Sequence, residues 1–341
     1  MKSLGLTIGT IFLLIFGVVI LKSVAPSVFP LHFVYLGIGV ILFFVFSRID
    51  FDLMSLFSKQ LYVASILFLI LPLIIGQVTR GVIRWVPIGG LTIQPSEIVR
   101  PFLLLFYANY IFERKLSRGR ALLLIILLII PALLIIVQPS LGVTALTVIG
   151  FMGVVLASDI NKKVLLPAAL VLLLIIPVGL IVLAPYQRSR IEAFLAPQKD
   201  PSGDGYNSIQ SMISVGSGRL TGRGLGEGVQ TQLSFLPERQ TDFIFASVAE
   251  EMGFVGAALL LAGLFFLLFQ TQKVVGRAHS PQARAFVSGV FLTFFAQIMV
   301  HIGMNMGLFP ITGVPLPLVS AGGSSLIATM ITLGMVIGAK K

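Results

Sequence analysis

The chain of 341 residues has no cysteine, three histidines, one tryptophan and only 11% charged residues. Without cysteine there are no disulfides and no thiolate metal sites. His32, His279 and His301 fall in three separate segments, so they form no histidine metal motif. Charge is scarcer than in a soluble domain, which carries about 25%. Acidic residues are the scarcest, 13 against 24 lysines and arginines, for a net charge of +11. That excess does not indicate nucleic acid, because the basic residues are spread over many short loops and form no stripe.

What fills the chain is apolar: 57% hydrophobic residues and a mean hydropathy of +1.03. The apolar residues come in runs of about twenty, the length that crosses a bilayer core of about 30 Å. The pattern predicts an all-α integral membrane protein, a single polytopic domain over 1–341. Ten spans are expected, at 4–22, 31–47, 61–79, 95–112, 121–138, 140–157, 164–184, 248–270, 285–307 and 316–338. The first run is longer than the roughly 7–15 residues of a signal h-region, and Pro26 after Ala25 disfavours cleavage, so it is read as a span. With the N-terminus inside, 14 basic residues fall in cytoplasmic segments and 4 in short outer loops or adjoining span ends. The positive-inside rule therefore places both termini in the cytoplasm. It also places the long polar segment 185–247 outside, where its aromatic and apolar residues predict partial folding on the membrane surface.

Several motifs in these outer segments could carry chemistry. Residues 216–228, GSGRLTGRGLGEG, hold six glycines in thirteen positions. They read either as a turn-rich loop or as a backbone-amide cradle for a phosphate or sugar, aided by Arg219 and Arg223. Pro315 and Pro317 precede Ser320-Ala321-Gly322-Gly323-Ser324, which reads either as a broken helix start that attracts anions or as close packing through small residues. Glu97 and Arg100 share a helix face near the outer boundary. They are either a structural ion pair or the lining of a polar cavity with Arg84, Trp85 and Gln94 nearby. Eight of the 13 acidic residues lie between Glu192 and Glu251. Among them, Asp242 sits just before the eighth span, either as an exposed helix cap or as a general base whose pKa is raised by partial desolvation. On the ninth span, Gly303 and Gly307 have the small-xxx-small spacing of a helix-docking seam, with packing inside the protein as the alternative.

Four separated motifs resemble the SEDS family (shape, elongation, division and sporulation) over essentially the whole chain. They are Gly81-x-x-Arg84-Trp85 with Gln94-Pro95-Ser96-Glu97; Gln138-Pro139-x-Leu141-Gly142; Tyr186-Gln187-Arg188-x-Arg190-Ile191 running on to Phe235-Leu236-Pro237-Glu238-Arg239-x-Thr241-Asp242-Phe243-Ile244-Phe245; and Gly313-x-Pro315-Leu316-Pro317 with Ser320-x-Gly322-Gly323-Ser324. The third motif is closer to the elongation member of the family than to the division member.

The resemblance implies a ten-span peptidoglycan glycosyltransferase of the bacterial cytoplasmic (inner) membrane that polymerises lipid II beside a class B penicillin-binding protein. It maps the family's essential aspartate onto Asp242 and its ion pair onto Glu97 and Arg100. With Asp242 as the catalytic residue, the expected substrate contacts are Arg239, Glu238, Glu97, Arg100, Arg84, Arg188, Arg190, Ser320 and Ser324. The expected partners are that transpeptidase, lipid II with its undecaprenyl-linked glycan, and the lipid bilayer. The sequence names no cofactor; a divalent cation such as Mg2+ is the one carried forward. The alternatives are a flippase for the same lipid-linked precursor and the division or sporulation role. Arg100 stands where the family has lysine, Ser140 where it has aspartate and Ala321 where it has tyrosine, and His301 stands near a usual asparagine.

The cysteine-free background makes the topology testable. A cysteine placed at Ser217 is expected to react with an impermeant maleimide on intact cells, and one placed at Ser280 to stay unlabelled. The reverse pattern would overturn the topology.

Overall fold

The computed structural model describes residues 4–79, 82–158, 185–203 and 205–340. The apolar runs fold as helices α1 (Leu4–Val24), α2 (Phe29–Arg48), α4 (Ser58–Ile75), α7 (Arg118–Val137) and α8 (Leu141–Leu156). Between α2 and α4 lies the short α3 (Phe51–Leu56), and the fourth run forms α5 (Pro95–Ile98) and α6 (Arg100–Glu113). After α9 (Pro185–Leu195), α10 (Tyr206–Ser217) and α11 (Val229–Gln232) come the last three long elements, α12 (Ile244–Val275), α13 (Pro281–Asn305) and α14 (Gly323–Gly338). Six helices are each long and apolar enough to cross a membrane, and α8 and α14 are shorter apolar helices. The molecule is a multi-pass membrane protein. Nine of the ten expected spans coincide with these helices; the seventh, expected over 164–184, lies outside the described residues.

These helices are apolar all round because each faces the protein core on one side and lipid on the other. On α1, Leu6, Leu13 and Ile20 are buried while Ile8, Ile11, Ile15 and Val19 are exposed. Helices with no hydrophobic drive between them need close van der Waals contact, which small residues permit. The most extensive pairing joins α2 to α14. There, a Cβ added at Gly334 would meet the Phe43 carbonyl oxygen at 2.7 Å. The α8–α13 pair approaches through Gly150, Gly153 and Gly289 in the same way.

Two expected boundaries move. The third span ends at Ile75, and the chain then forms a three-stranded antiparallel sheet of β1 (Gln77–Thr79), β2 (Val82–Ile88) and β3 (Leu91–Ile93). Gly89 and Gly90, with φ of 56° and 82°, close the β2–β3 hairpin. Two residues with positive φ match the right-handed twist of the strands, and glycine adopts them freely. The tenth span starts at Gly323 rather than 316, because the chain before it runs through Gly313 and Leu318 at positive φ. The fourth span is interrupted only at Val99. Pro101 lacks the N–H that would donate to Glu97, so the ladder lapses there without the helix ending.

The largest departure from regular structure is inside α12. Gly253 has φ 63° and ψ −161° and breaks the helix into two segments. A break orphans the amides and carbonyls on either side. The glycine-rich loop satisfies them from both directions. Arg223 and Gly224 donate their N–H groups to the carbonyls of Glu250 and Glu251, each at 3.0 Å. Phe254 and Val255 donate in turn to the carbonyls of Arg219 (2.9 Å) and Leu220 (3.1 Å). This settles the role of residues 216–228. The loop is ordered against the break in α12, and the amides of Arg223 and Gly224 serve the protein's own carbonyls rather than forming a cradle for a ligand. Glycine is required because a Cβ on Gly253 would lie 2.2 Å from the Gly222 nitrogen.

At the far end of the bundle His279 staples three elements. Its Nδ1 bonds to the Ala339 carbonyl and its Nε2 to Asp52 Oδ1, each at 3.0 Å. Burial alone lowers the His279 pKa; the Asp52 hydrogen bond, the Ala339 carbonyl and the charges of Asp52 and Asp50 outweigh it and leave it raised.

Gly253→Ala tests the break. The glycine-only backbone region costs of order 1–3 kcal/mol for another residue, and the clash with Gly222 adds to that. The variant is expected to melt at a lower temperature than the parent in detergent, while a control Gly119→Ala, where an added Cβ meets nothing within 4 Å, melts with the parent.

Candidate active site

Asp242 lies in a turn before α12 that begins at Pro237-Glu238. Glu238 has φ 51°, and its carbonyl accepts from the N–H groups of Thr241 (3.0 Å) and Phe243 (3.2 Å). Its carboxylate Oε2 accepts from Thr241 Oγ1 at 3.0 Å. The three following carbonyls are each held from outside the turn. Gln240 O accepts from Ala321 N (2.9 Å), Thr241 O from Ser320 Oγ (2.8 Å) and Asp242 O from Asn305 Nδ2 (3.0 Å). The backbone of Asp242 is therefore fixed between α13 and the segment that leads into α14.

The Asp242 side chain is half-buried, and its carboxylate faces Gly313. A Cβ built on Gly313 would lie 3.6 Å from Asp242 Oδ2 and 3.9 Å from Arg190 Nη1, so the carboxylate and the guanidinium meet over one residue. Gly313 has φ 67°. Arg190 reaches this point from α9, is itself exposed, and donates to the Ile311 carbonyl at 3.2 Å. Arg188 lies on the same helix, and its side chain is outside the described part of the structure. An anchored carboxylate beside an exposed guanidinium can take a proton from a hydroxyl and hold a phosphate at one place.

The other acidic residues near α12 are structural. Glu250 is fully buried, and its carboxylate accepts from Gln230 N (2.8 Å) and Thr231 N (3.0 Å), at the first turn of α11. Glu251, 1% exposed, accepts from Ser23 Oγ (2.5 Å), Gln232 Nε2 (2.8 Å) and Thr231 Oγ1 (3.3 Å). Buried carboxylates with this many donors are retained as structure.

The remaining expected site residues divide into two groups. Arg239 donates its Nε to the Val24 carbonyl at the end of α1 and its Nη1 to Ser234 Oγ, each at 2.9 Å. It ties the loop to α1 and is not turned toward a phosphate. Ser320 accepts from Leu316 N at 2.8 Å as well as holding Thr241. Ser324 accepts from Gln94 N at 2.8 Å, which docks the start of α14 on the approach to α5. Both serines bond backbone, which sequence reading could not distinguish from substrate contact. Arg84 lies on β2 with its guanidinium over the Trp85 ring, 5.7 Å from the centroid.

Glu97 and Arg100 form a buried ion pair, with side chains 4% and 7% exposed. Arg100 Nη1 also donates to Gln297 Oε1 at 3.2 Å, and Gln297 Nε2 donates to the Pro315 carbonyl at 2.8 Å. The cavity beside the pair, shared with Thr293, Thr329 and Thr332, is about 10 Å3. That is far too small for a sugar, so the geometry favours the structural reading. The planar guanidinium spans the two acceptors, bonding Glu97 through Nη2 and Gln297 through Nη1.

Sequence reading missed Gln297 and Asn305. The signal was present: Thr293, Gln297, His301 and Asn305 recur every four residues on an otherwise apolar span, and all are at most 2% exposed. A polar stripe at helical spacing in a membrane helix faces the protein interior. Gly303 and Gly307 are no docking seam: a Cβ on Gly303 would strike the Phe309 ring at 2.3 Å, and one on Gly307 the Met212 sulfur at 2.5 Å. Among the described residues no group of three or more His, Asp or Glu side chains could hold a metal ion.

The comparisons with known proteins agree with this fold. Residues 3–341 match the FtsW–RodA–SpoVE model of cell cycle proteins. The peptidoglycan glycosyltransferase MrdB of Escherichia coli (strain K12) is 36% identical over 305 residues, which cover 89% of this chain and 82% of that protein. One solved chain, from work on polymerization and crosslinking by a peptidoglycan synthase complex, aligns with TM-score 0.82 and 33% identity, covering 98% of this chain and 96% of its own. The rod shape determining protein RodA of Thermus thermophilus aligns with TM-score 0.73 and 28% identity over 98% of this chain and 95% of its own.

The ion pair yields a coupling test. Removing one partner of a buried pair costs about 3–5 kcal/mol, because the other charge is left unpaired. Glu97→Gln alone is expected to lower thermal stability more than Glu97→Gln combined with Arg100→Gln. Additive losses in the double variant would show that the two residues act independently. On the matched family model, the shared fold and the four motifs together, this chain belongs to the SEDS family of FtsW-, RodA- and SpoVE-type proteins.

Proposed function

We propose that the chain is a peptidoglycan glycosyltransferase of the elongation type, which polymerises lipid II at the outer face of the bacterial cytoplasmic membrane with Asp242 as general base. The observation that carries the reading is the meeting of the Asp242 carboxylate and the Arg190 guanidinium over Gly313, on a turn whose backbone is held at three successive carbonyls.

Glycosyl transfer to an acceptor 4-hydroxyl requires that hydroxyl's proton to leave as the new bond forms. Asp242 accepts the proton, and the acceptor oxygen attacks the anomeric carbon of the donor from the face opposite its leaving group, which inverts the centre. The carbon–oxygen bond to undecaprenyl pyrophosphate breaks, and the electron pair leaves with the pyrophosphate. That group is already a good leaving group, so the reaction needs a base more than an acid. Arg190, exposed and close to the carboxylate, is placed to hold the pyrophosphate oxygens. Both termini are cytoplasmic, and a class B penicillin-binding protein supplies the transpeptidase. The solved relative from a peptidoglycan synthase complex supports that partnership.

General base catalysis is typically worth about 10²–10⁴-fold. Asp242→Asn keeps the shape of the side chain and removes its basicity. It is expected to reduce lipid II polymerisation by at least that range, with expression and partner binding retained. Glu238→Gln, which keeps an acceptor for Thr241, is expected to leave measurable activity. Near-normal polymerisation by folded Asp242→Asn protein would overturn the assignment.

A further inference from the structure

Asn305 does more for the Asp242 turn than any other side chain. It is fully buried at the end of α13. Its Nδ2 donates to Asp242 O (3.0 Å) and His301 O (2.7 Å), and its Oδ1 accepts from Ala246 N (3.0 Å). Its own carbonyl accepts from Ser211 Oγ of α10 at 2.9 Å. Ala246 is the third residue of α12, and its N–H is one of the orphan donors of a helix start. A side chain at the N-cap position normally accepts such a bond. Here the N-cap is Phe243, which makes no side-chain cap bond. Asn305 performs that role from another helix and with its other atom fixes the carbonyl of Asp242, so one amide sets both where α12 begins and where Asp242 stands.

The residues one and two turns earlier on the same face do the same for the opposite wall of the site. His301 Nδ1 bonds to the Val314 carbonyl at 2.7 Å, which requires the proton on Nδ1. Gln297 holds the Pro315 carbonyl and is itself held by Arg100. Val314 and Pro315 follow Gly313, over which Asp242 and Arg190 meet. Both sides of the site therefore hang from one polar face of α13.

We propose that Asn305 is a positioning residue for Asp242, and that Gln297, His301 and Asn305 form a rack on α13 that holds the carboxylate in register with the segment 313–315. The proposal rests on the reading of Asp242 as the base. Only a group that both donates and accepts fits position 305. Asn305→Asp keeps the shape. When ionised it loses the donor to Asp242; when protonated it regains one. A carboxyl buried here is expected to gain its proton within an accessible pH range, since burial disfavours the charged form.

The experiment measures lipid II polymerisation by the purified protein with its penicillin-binding partner, from pH 8 down to pH 5.5, for wild type, Asn305→Asp, Asn305→Ser and Asp242→Asn. Misplacing a reacting group by about 1 Å can cost on the order of 10²-fold. For Asn305→Asp the expected result at pH 8 is a kcat loss of about 10–100-fold on that ground, with KM for lipid II little changed and the deficit shrinking as pH falls. Asp242, Arg190 and His301, the ionisable groups around this position, are common to variant and wild type, so the ratio of the two isolates the new carboxyl. Asn305→Ser, uncharged at every pH, is expected to lose kcat without pH-dependent recovery, and it keeps the proposal testable if Asn305→Asp does not fold at pH 8. Wild-type kcat in both Asn305 variants beside an inactive Asp242→Asn would overturn this proposal alone. A pH-independent loss in Asn305→Asp, or one confined to KM, would reduce Asn305 to a packing residue. Activity in Asp242→Asn would instead overturn the reading of Asp242 beneath it.

Discussion

The fold depends on one constraint: no backbone N–H or C=O at membrane depth can be left without a partner, since no water is there to supply one. α12 is broken at Gly253, and α14 starts short of the length its apolar run allows. Each interruption creates orphan groups that something else must meet. The glycine-rich loop meets those at Gly253, Asn305 meets those at the start of α12, and Glu250 meets those at the start of α11. The long outer segment is therefore ordered by the defects of the helices beneath it, and Asp242 is fixed as a consequence of the same pairing.

The same pairing shows which polar side chains serve backbone groups. Glu250, Arg239, Ser320 and Ser324 all bond to backbone in the interior. Asp242 differs: its backbone carbonyl is held while its carboxylate is turned toward an exposed guanidinium over Gly313. The Glu97–Arg100 pair stands behind this arrangement, linked through Gln297 to the Pro315 carbonyl.

The spans were legible because apolar runs of membrane length have one stable outcome. The position of Asp242 just ahead of α12 was legible from the apolar stretch that follows it. The sheet at Gln77–Ile93 was missed, although Gly89-Gly90 flanked by β-branched residues is a hairpin signal; the preceding apolar run drew the boundary of the third span too far. The break at Gly253 could not be read, since a glycine inside an apolar helix more often marks close packing. The glycine loop reads either as a turn-rich loop or as a cradle because its partner, a set of interrupted helix carbonyls, is a tertiary fact. Asn305 was missed because its partners are backbone atoms 59 and 63 positions away.

The proposed chemistry is the making of glycan strands at the outer face of the membrane. The most direct measurement is incubation of the purified wild-type chain, with and without a class B penicillin-binding protein, with lipid II in detergent or proteoliposomes, followed by resolution of the products by size. The expected products are long glycan polymers that a muramidase digests, with release of undecaprenyl pyrophosphate. Folded protein that binds its partner yet leaves lipid II unpolymerised would contradict it.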